Sequence, residues 1–250
     1  MYALITGASS GIGKAMAEQL AKRKINLILN SRRQPELDRI KTDLQSRYQV
    51  AVEVIAADLS VASECHRLYR ECLPFAPEIV VNNAGFGLIG LFADLALEDE
   101  LRMIRLNIDG LHILTKLFVG SMNQGVILNV ASMAGFIPSP RLAAYAATKA
   151  YVFSFSRAVD YELRKGKKAI RVLSLCPGPV DTNFSAAAGG TIGLKGLSAD
   201  RCAAIAVRGL MRRRPTIIPG WGMKLLRFFL RFVPLGLVLP ISFSIQKKKS

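Results

Sequence analysis

The chain has 250 residues, 51% of them apolar and 21% charged, which suits one large α/β domain or two small ones and excludes a disordered chain. Its formal net charge is +16, unevenly placed: past Asp200 there is no acidic residue, yet eleven Lys and Arg remain. The basic excess is therefore mostly a property of the C-terminal end, and no repeat or low-complexity tract accompanies it.

Tyr2–Ile5 reads as a buried strand that begins at once, so no signal peptide is expected. Thr6-Gly-Ala-Ser-Ser-Gly-Ile-Gly13 follows, then a helical pattern from about Lys14 to Lys22 with Ala15, Met16, Ala17 and Leu20 apolar. Strand, glycine turn and helix together are the setting in which a glycine loop binds a dinucleotide. Gly7, Gly11 and Gly13 let backbone approach a pyrophosphate, and the helix N-terminus favours its charge. Ile25–Asn30 is the second strand. An acid at its end would bind the adenine ribose hydroxyls and select NAD, whereas a neutral residue followed by Arg admits a 2′-phosphate. The sequence is Asn30-Ser31-Arg32-Arg33, so NADP(H) is expected; Glu36 and Asp38 fall later, in a helix running to about Tyr48.

Val50–Ala57 is the third strand and ends at Asp58-Leu59. Asp58 can accept from an adenine amino group or cap the helix expected over Ala62–Cys72. Ile79–Asn82 is the fourth strand, closed by Asn82-Asn83-Ala84-Gly85, whose amides can tie strands together and whose glycine lets backbone approach a ligand. Phe86-Gly87 begins a loop that could border a substrate. From about Glu98 to Met122 the pattern is helical, with Asn107 inside it. Asn is a poor helix former, so a local kink holding a water, or a satisfied surface amide, accounts for it. His112 reads as structural, and no metal site is evident. The four cysteines, Cys65, Cys72, Cys176 and Cys202, show no C-x-x-C spacing and read as buried free thiols in a reducing compartment, hence a cytoplasmic chain.

The fifth strand, Gly125–Ala131, delivers Ser132 to its carboxyl end, where ligands bind in open α/β sheets. Past the Pro138/Pro140 loop, a helix carries Tyr145 and Lys149, four apart on one face. The ammonium is expected to favour the phenolate and tune the phenol as a proton donor. Ala169–Cys176 is the sixth strand; its exit, Pro177-Gly-Pro-Val-Asp-Thr182, can lie over a nicotinamide carboxamide. Ser185–Gly196 reads as a mobile lid over the substrate. Ser198 caps a helix to about Arg213, and Thr216–Pro219 forms the seventh strand.

These residues resemble the short-chain dehydrogenase/reductases over about residues 1–220. The matching motifs are Thr6-Gly7-x-x-x-Gly11-x-Gly13, Asp58, Asn82-Asn83-Ala84-Gly85, Asn107, Ser132, Tyr145-x-x-x-Lys149 and Pro177-Gly178. The resemblance implies one Rossmann-like doubly wound α/β domain, a seven-stranded parallel sheet with helices on both faces, and a dimer or tetramer. It also implies a catalytic tetrad. Tyr145 would donate the proton, Ser132 would hold the carbonyl oxygen, and Lys149 would lower the Tyr145 pKa and bind the nicotinamide ribose. Asn107 would hold a water linking Lys149 to solvent. The cofactor would lie along Gly7, Ser9, Ser10, Gly11, Ile12 and Gly13, then Arg32 and Arg33, Asp58 and Leu59, and Asn83, Ala84 and Gly85. Tyr145, Lys149, Pro177, Gly178, Val180 and Thr182 would complete its site.

Residues 221–250 stand outside that pattern. Lys224, Arg227 and Arg231 fall in one wedge of a helix whose remainder is Trp221, Leu225, Leu226, Phe228, Phe229, Leu230 and Phe232. Val233–Ile245 follows without charge and is broken by Pro234 and Pro240, too short to span a bilayer at the ~20 residues that requires. Two readings stay open: a peripheral anchor at a membrane surface, or an apolar face covering the substrate pocket or a subunit interface. Nucleic-acid binding is disfavoured, because the aromatics lie among leucines and are not interleaved with the cations. The expected function is NADPH-dependent reduction of a lipophilic carbonyl, or the reverse oxidation; the alternative is a non-catalytic NADP(H)-binding regulator.

Overall fold

The structure, a computed structural model, describes residues 1–182 and 196–247. Seven strands form one sheet in the order β3-β2-β1-β4-β5-β6-β9, every neighbouring pair parallel. They are β1 (Tyr2–Thr6), β2 (Asn26–Ser31), β3 (Val52–Ala56), β4 (Ile79–Asn82), β5 (Gln124–Val130), β6 (Ala169–Leu175) and β9 (Thr216–Ile217). An outlying pair, β7 (Val180–Asp181) with β8 (Leu197–Ser198), sits apart from the sheet. Strand order reverses between β1 and β4, and such a switch point leaves a crevice at the strands' carboxyl ends.

Alternation along each strand feeds two cores. Ala3 and Ile5 of β1 and Val126 and Leu128 of β5 pack under α1 (Gly11–Ala21), α2 (Gln34–Tyr48) and α7 (Ala199–Met211). Leu4 and Ile127 point the other way, beneath α3 (Ala62–Cys72), α5 (Leu111–Ser121) and α6 (Ala143–Lys165). Burying each such aliphatic side chain contributes about 1.5–3 kcal/mol, so the near-continuous apolar strands of the sequence stabilise a sheet covered on both faces.

The long helix expected over Glu98–Met122 is three pieces on one path: α4 (Leu97–Ile104), a π-helical turn over Arg105–Gly110, and α5. Gly110 faces the Leu59 carbonyl at a distance no Cβ could occupy. The C-terminal segment forms α8 (Trp221–Phe229) and α9 (Leu235–Lys247). One expectation fails there: Pro240 does not break the run but sits inside α9, which is 13 residues long. No helix among the described residues is long and apolar enough to cross a membrane.

Candidate active site

The crevice floor is built from buried amides. Asn82 donates from Nδ2 to Thr115 Oγ1 (3.1 Å) and Asn129 Oδ1 (2.9 Å), and Asn129 donates on to Ser156 Oγ (3.0 Å). This chain joins β4, β5, α5 and α6. Asn83 donates from Nδ2 to the Thr6 carbonyl (3.0 Å), while its backbone N–H and that of Ala84 both donate to Thr6 Oγ1. β1 and β4 are thereby stitched just below the glycine turn. In that turn Gly7 takes φ +64°, open to few L side chains, and Gly13 lies so close to the Gly7 carbonyl that a Cβ there would collide. Ser10 does not cap α1 through its side chain, which leaves the helix's first N–H groups without a side-chain acceptor from their N-cap.

Ser132 follows β5 and is fixed by its own turn, its Oγ accepting from Ala134 N at 3.1 Å. The turn packs tightly on α6, because a Cβ on Gly135 would stand 2.6 Å from the Lys149 carbonyl carbon. That contact brings Ser132 against Tyr145, and the two hydroxyls are hydrogen-bonded. Lys149 Nζ donates to the Val130 carbonyl (2.9 Å) and lies 5.8 Å from the Tyr145 ring centroid. Both side chains are buried, Tyr145 at 9% exposure and Lys149 at 5%.

Asn107 joins them from the π turn, a device frequent at functional sites. Its Nδ2 donates to Phe86 O (2.9 Å) and Thr148 Oγ1 (3.1 Å), and its Oδ1 accepts from Phe86 N. A Cβ on Gly85 would be 2.8 Å from Asn107 Oδ1 and 3.4 Å from Lys149 Nζ, so glycine keeps this corner open. Both amide hydrogens of Asn107 are spent on protein, which leaves one Oδ1 lone pair for a water.

The electrostatics run against one expectation. Burial pushes the Tyr145 phenol up to about 12, with the Ser132 hydrogen bond pulling the other way, and burial brings the Lys149 ammonium down to about 8. Desolvation decides both directions, because both groups are buried and burial disfavours the charged form of each.

At the far end of the crevice Asp58 sits in a turn, its Oδ1 accepting from Ser60 N and Oγ, and does not cap α3, whose N-cap is Val61. Burial raises the Asp58 pKa, but the Ser60 bonds with Arg32 and Arg102 outweigh it and leave the carboxyl below its ordinary value. Arg32 Nη1 stands 4.0 Å from Asp58 Oδ2 and Arg102 Nη2 at 3.6 Å. Arg33, by contrast, is paired with Glu36 at 3.3 Å. On the rim, Pro177 O accepts from Met133 N (2.9 Å) and Thr182 lies against Gly11, so the 177–182 exit connects the Ser132 turn to the glycine loop. The lid expected over Ser185–Gly196 lies outside the described residues except Gly196.

Several contributors carry no motif of their own. Thr148, inside the Tyr-x-x-x-Lys stretch, donates to the Tyr145 carbonyl (2.7 Å) and receives Asn107. From α8, Met223 packs on Gly178, and Arg227 stacks over Phe136 (4.6 Å) and Phe153 (5.3 Å). His112 is structural, 2.6 Å from the Tyr151 hydroxyl and stacked on Phe155.

Residues 1–191 match a family model described as short chain dehydrogenase. The chain is 36% identical over 191 residues to very-long-chain 3-oxoacyl-CoA reductase-B of Danio rerio, covering 74% of this chain and 61% of that protein. It is 37% identical over 192 residues to inactive hydroxysteroid dehydrogenase-like protein 1 of Homo sapiens, covering 74% and 57%. The chain thus spans under two thirds of the length of these curated relatives. A solved short-chain dehydrogenase from Sphingobium yanoikuyae in complex with NADPH superposes with a TM-score of 0.84 at 32% identity, covering 95% of this chain and 94% of that one.

Proposed function

This chain belongs to the short-chain dehydrogenase/reductase family, and on that footing we propose that it is an NADP(H)-dependent oxidoreductase that reduces a lipophilic carbonyl to an alcohol. The observation that carries the reading is the hydrogen-bonded Ser132–Tyr145 pair, with the Lys149 amine beside it, at the carboxyl rim of β4 and β5. The crevice fits a dinucleotide: glycine is required at 7, 13 and 85 to keep backbone room, and the start of α1 is free of a side-chain cap. Gly7 to Gly13 would hold the pyrophosphate, Arg32 a 2′-phosphate, Asp58 the adenine, and Pro177 to Thr182 the nicotinamide end. When bound, the cofactor supplies the hydride and the protein supplies alignment and charge.

Tyr145 delivers the proton to the carbonyl oxygen. Ser132 donates to the same oxygen and fixes it, an oxyanion-type contact. The high phenol pKa keeps the proton on Tyr145 at neutral pH until negative charge develops on the substrate oxygen to receive it. Lys149, with its pKa brought down to about 8, is able to give or take a proton behind the phenol, and Asn107 beside it keeps an Oδ1 lone pair for a water in the corner that Gly85 leaves open. NADP(H) is favoured over NAD(H) by Arg32, since no acid occupies the end of β2. The NADPH complex of the Sphingobium protein supports the same preference, and the 3-oxoacyl-CoA reductase name of the Danio protein supports a fatty carbonyl such as a 3-oxoacyl thioester.

The second reading, a cofactor-binding protein without turnover, draws on the human relative whose name carries the word inactive. Following NADPH oxidation against aldehydes, ketosteroids and 3-oxoacyl thioesters, with NADH in parallel, separates the two. Tyr145→Phe is expected to lower kcat by about 10³-fold with NADPH binding unchanged. Turnover that survives in that variant would overturn the role of Tyr145, absence of turnover with every carbonyl would favour the regulator, and equal rates with NADH would remove the cofactor preference.

A further inference from the structure

The surface around α8 has two properties seldom found together on a water-facing helix. Its apolar residues point outward: Trp221 is 76% exposed and Phe232 70%, with Leu226, Phe228 and Phe229 between them. α9 extends the same surface through Leu235, Leu237 and Ile241, each more than half exposed. Exposed apolar areas of this extent mark interaction sites. Flanking them are two adjoining basic grooves that share Thr216, Ile218 and Lys224. One, of about 310 Å³, is lined by Lys224, Arg227 and Arg231. The other, of about 400 Å³, is lined by Arg201, Arg208, Arg212 and Arg214 from α7 and its exit, with Trp221 at its edge. No carboxylate lines either groove, and among the described residues none of these seven cations forms an ion pair.

We propose that α8, α9 and the basic end of α7 form one docking face for an anionic lipid bilayer, with the aromatic and leucine side chains entering the headgroup boundary and the two grooves receiving lipid phosphates. Charge decides the partner. A second copy of this chain would bring the same unopposed cations to the interface, and like charges there cost affinity. A bilayer bearing phosphatidylserine answers both features at once: hydrocarbon for the outward residues and anions for the grooves. The helices lie on such a surface and do not cross it, since α9 is 13 residues long against the ~20 needed to span. The docking face shares no residue with the Ser132–Tyr145 pair, so it stands or falls separately from the proposed reductase.

Trp221 is the single tryptophan of the chain, so its emission reports this face directly. Full-length protein is mixed with vesicles of phosphatidylcholine alone and of phosphatidylcholine with phosphatidylserine, at low and high salt, and followed by flotation and tryptophan emission. The expected result is flotation and a blue shift with the anionic vesicles only, weakened by salt. Arg212→Gln and Arg214→Gln should each weaken binding about fivefold. Phe228→Gln with Phe232→Gln should abolish flotation while NADPH binding is retained, which shows that the variant is folded. Absence of a shift with anionic vesicles, equal binding to neutral ones, or a shift that follows protein concentration without lipid would each overturn the proposal, the last pointing to self-association.

Discussion

Lys149 carries its amine into a corner where burial brings the pKa down to about 8, against an ordinary value of 10.5. Between those values the unfolded chain binds the proton more tightly than the folded one, so the Lys149 contribution to stability rises with pH over that window. At pH 7 the buried charge costs on the order of 3 kcal/mol at most. Lys149→Met is therefore expected to melt higher than the parent protein at pH 7, with the margin shrinking towards pH 10; thermal melts at both values check this, and parallel curves would refute it. Tyr145 has the opposite sign. Its pKa is raised to about 12, so its share of stability is present below pH 10 and is lost only above it. The Tyr145–Lys149 spacing was legible in the sequence because residues four apart share a helix face. The direction of the phenol's shift was not, because it depends on how deeply the folded chain buries the ring.

The 23 residues of α6 hold Tyr145 and Lys149 near one end and a buried carboxylate, Asp160, near the other. Asp160 is fully buried and accepts from Arg171 Nε (2.7 Å) and Nη2 (3.0 Å) and from the Val172 backbone N–H (3.2 Å), with Arg157 and Arg164 close by. These bonds clamp α6 onto β6 and so fix the helix that aims Tyr145. Removing one partner of a buried pair typically costs 3–5 kcal/mol, and the partial exposure of the arginines reduces this to about 2–3 kcal/mol for Asp160→Ala. Chemical denaturation measures it, and an unchanged midpoint would show that the clamp carries no stability. In the sequence Asp160 looks like any polar residue on a helix's outer face, since its partner Arg171 lies beyond a turn on another element. The strands and most helices, by contrast, were readable from apolar periodicity. The kink at Asn107 was foreseen only as a break in propensity; the close approach of Gly110 to the Leu59 carbonyl at the end of the π turn is a tertiary fact.

Across the whole molecule, the seven-stranded parallel sheet followed from a run of strand-and-helix units whose motifs fall at the strands' carboxyl ends, although the spatial order β3-β2-β1-β4-β5-β6-β9 is not the order along the chain. The C-terminal segment did not. Its wheel showed an amphipathic helix, but not that Arg227 would turn inward over Phe136 and Phe153 while the phenylalanines of α8 turned out. The four cysteines add one more property of the folded chain. All are buried, and burial raises their thiols to about 11 at Cys65 and about 12 at Cys72, Cys176 and Cys202. The thiolate is the form that attacks iodoacetamide and displaces its iodide, so at neutral pH the reagent labels only molecules that have opened. Because Cys65 and Cys72 lie in the core beneath α3 while Cys176 follows β6 in a separate cluster with Met223 of α8, each labelled peptide dates a different breach. Mass spectrometry under mild denaturant is expected to find Cys176 modified before the α3 pair, turning the chain's ordinary sulfur atoms into a clock for the order in which its parts come undone.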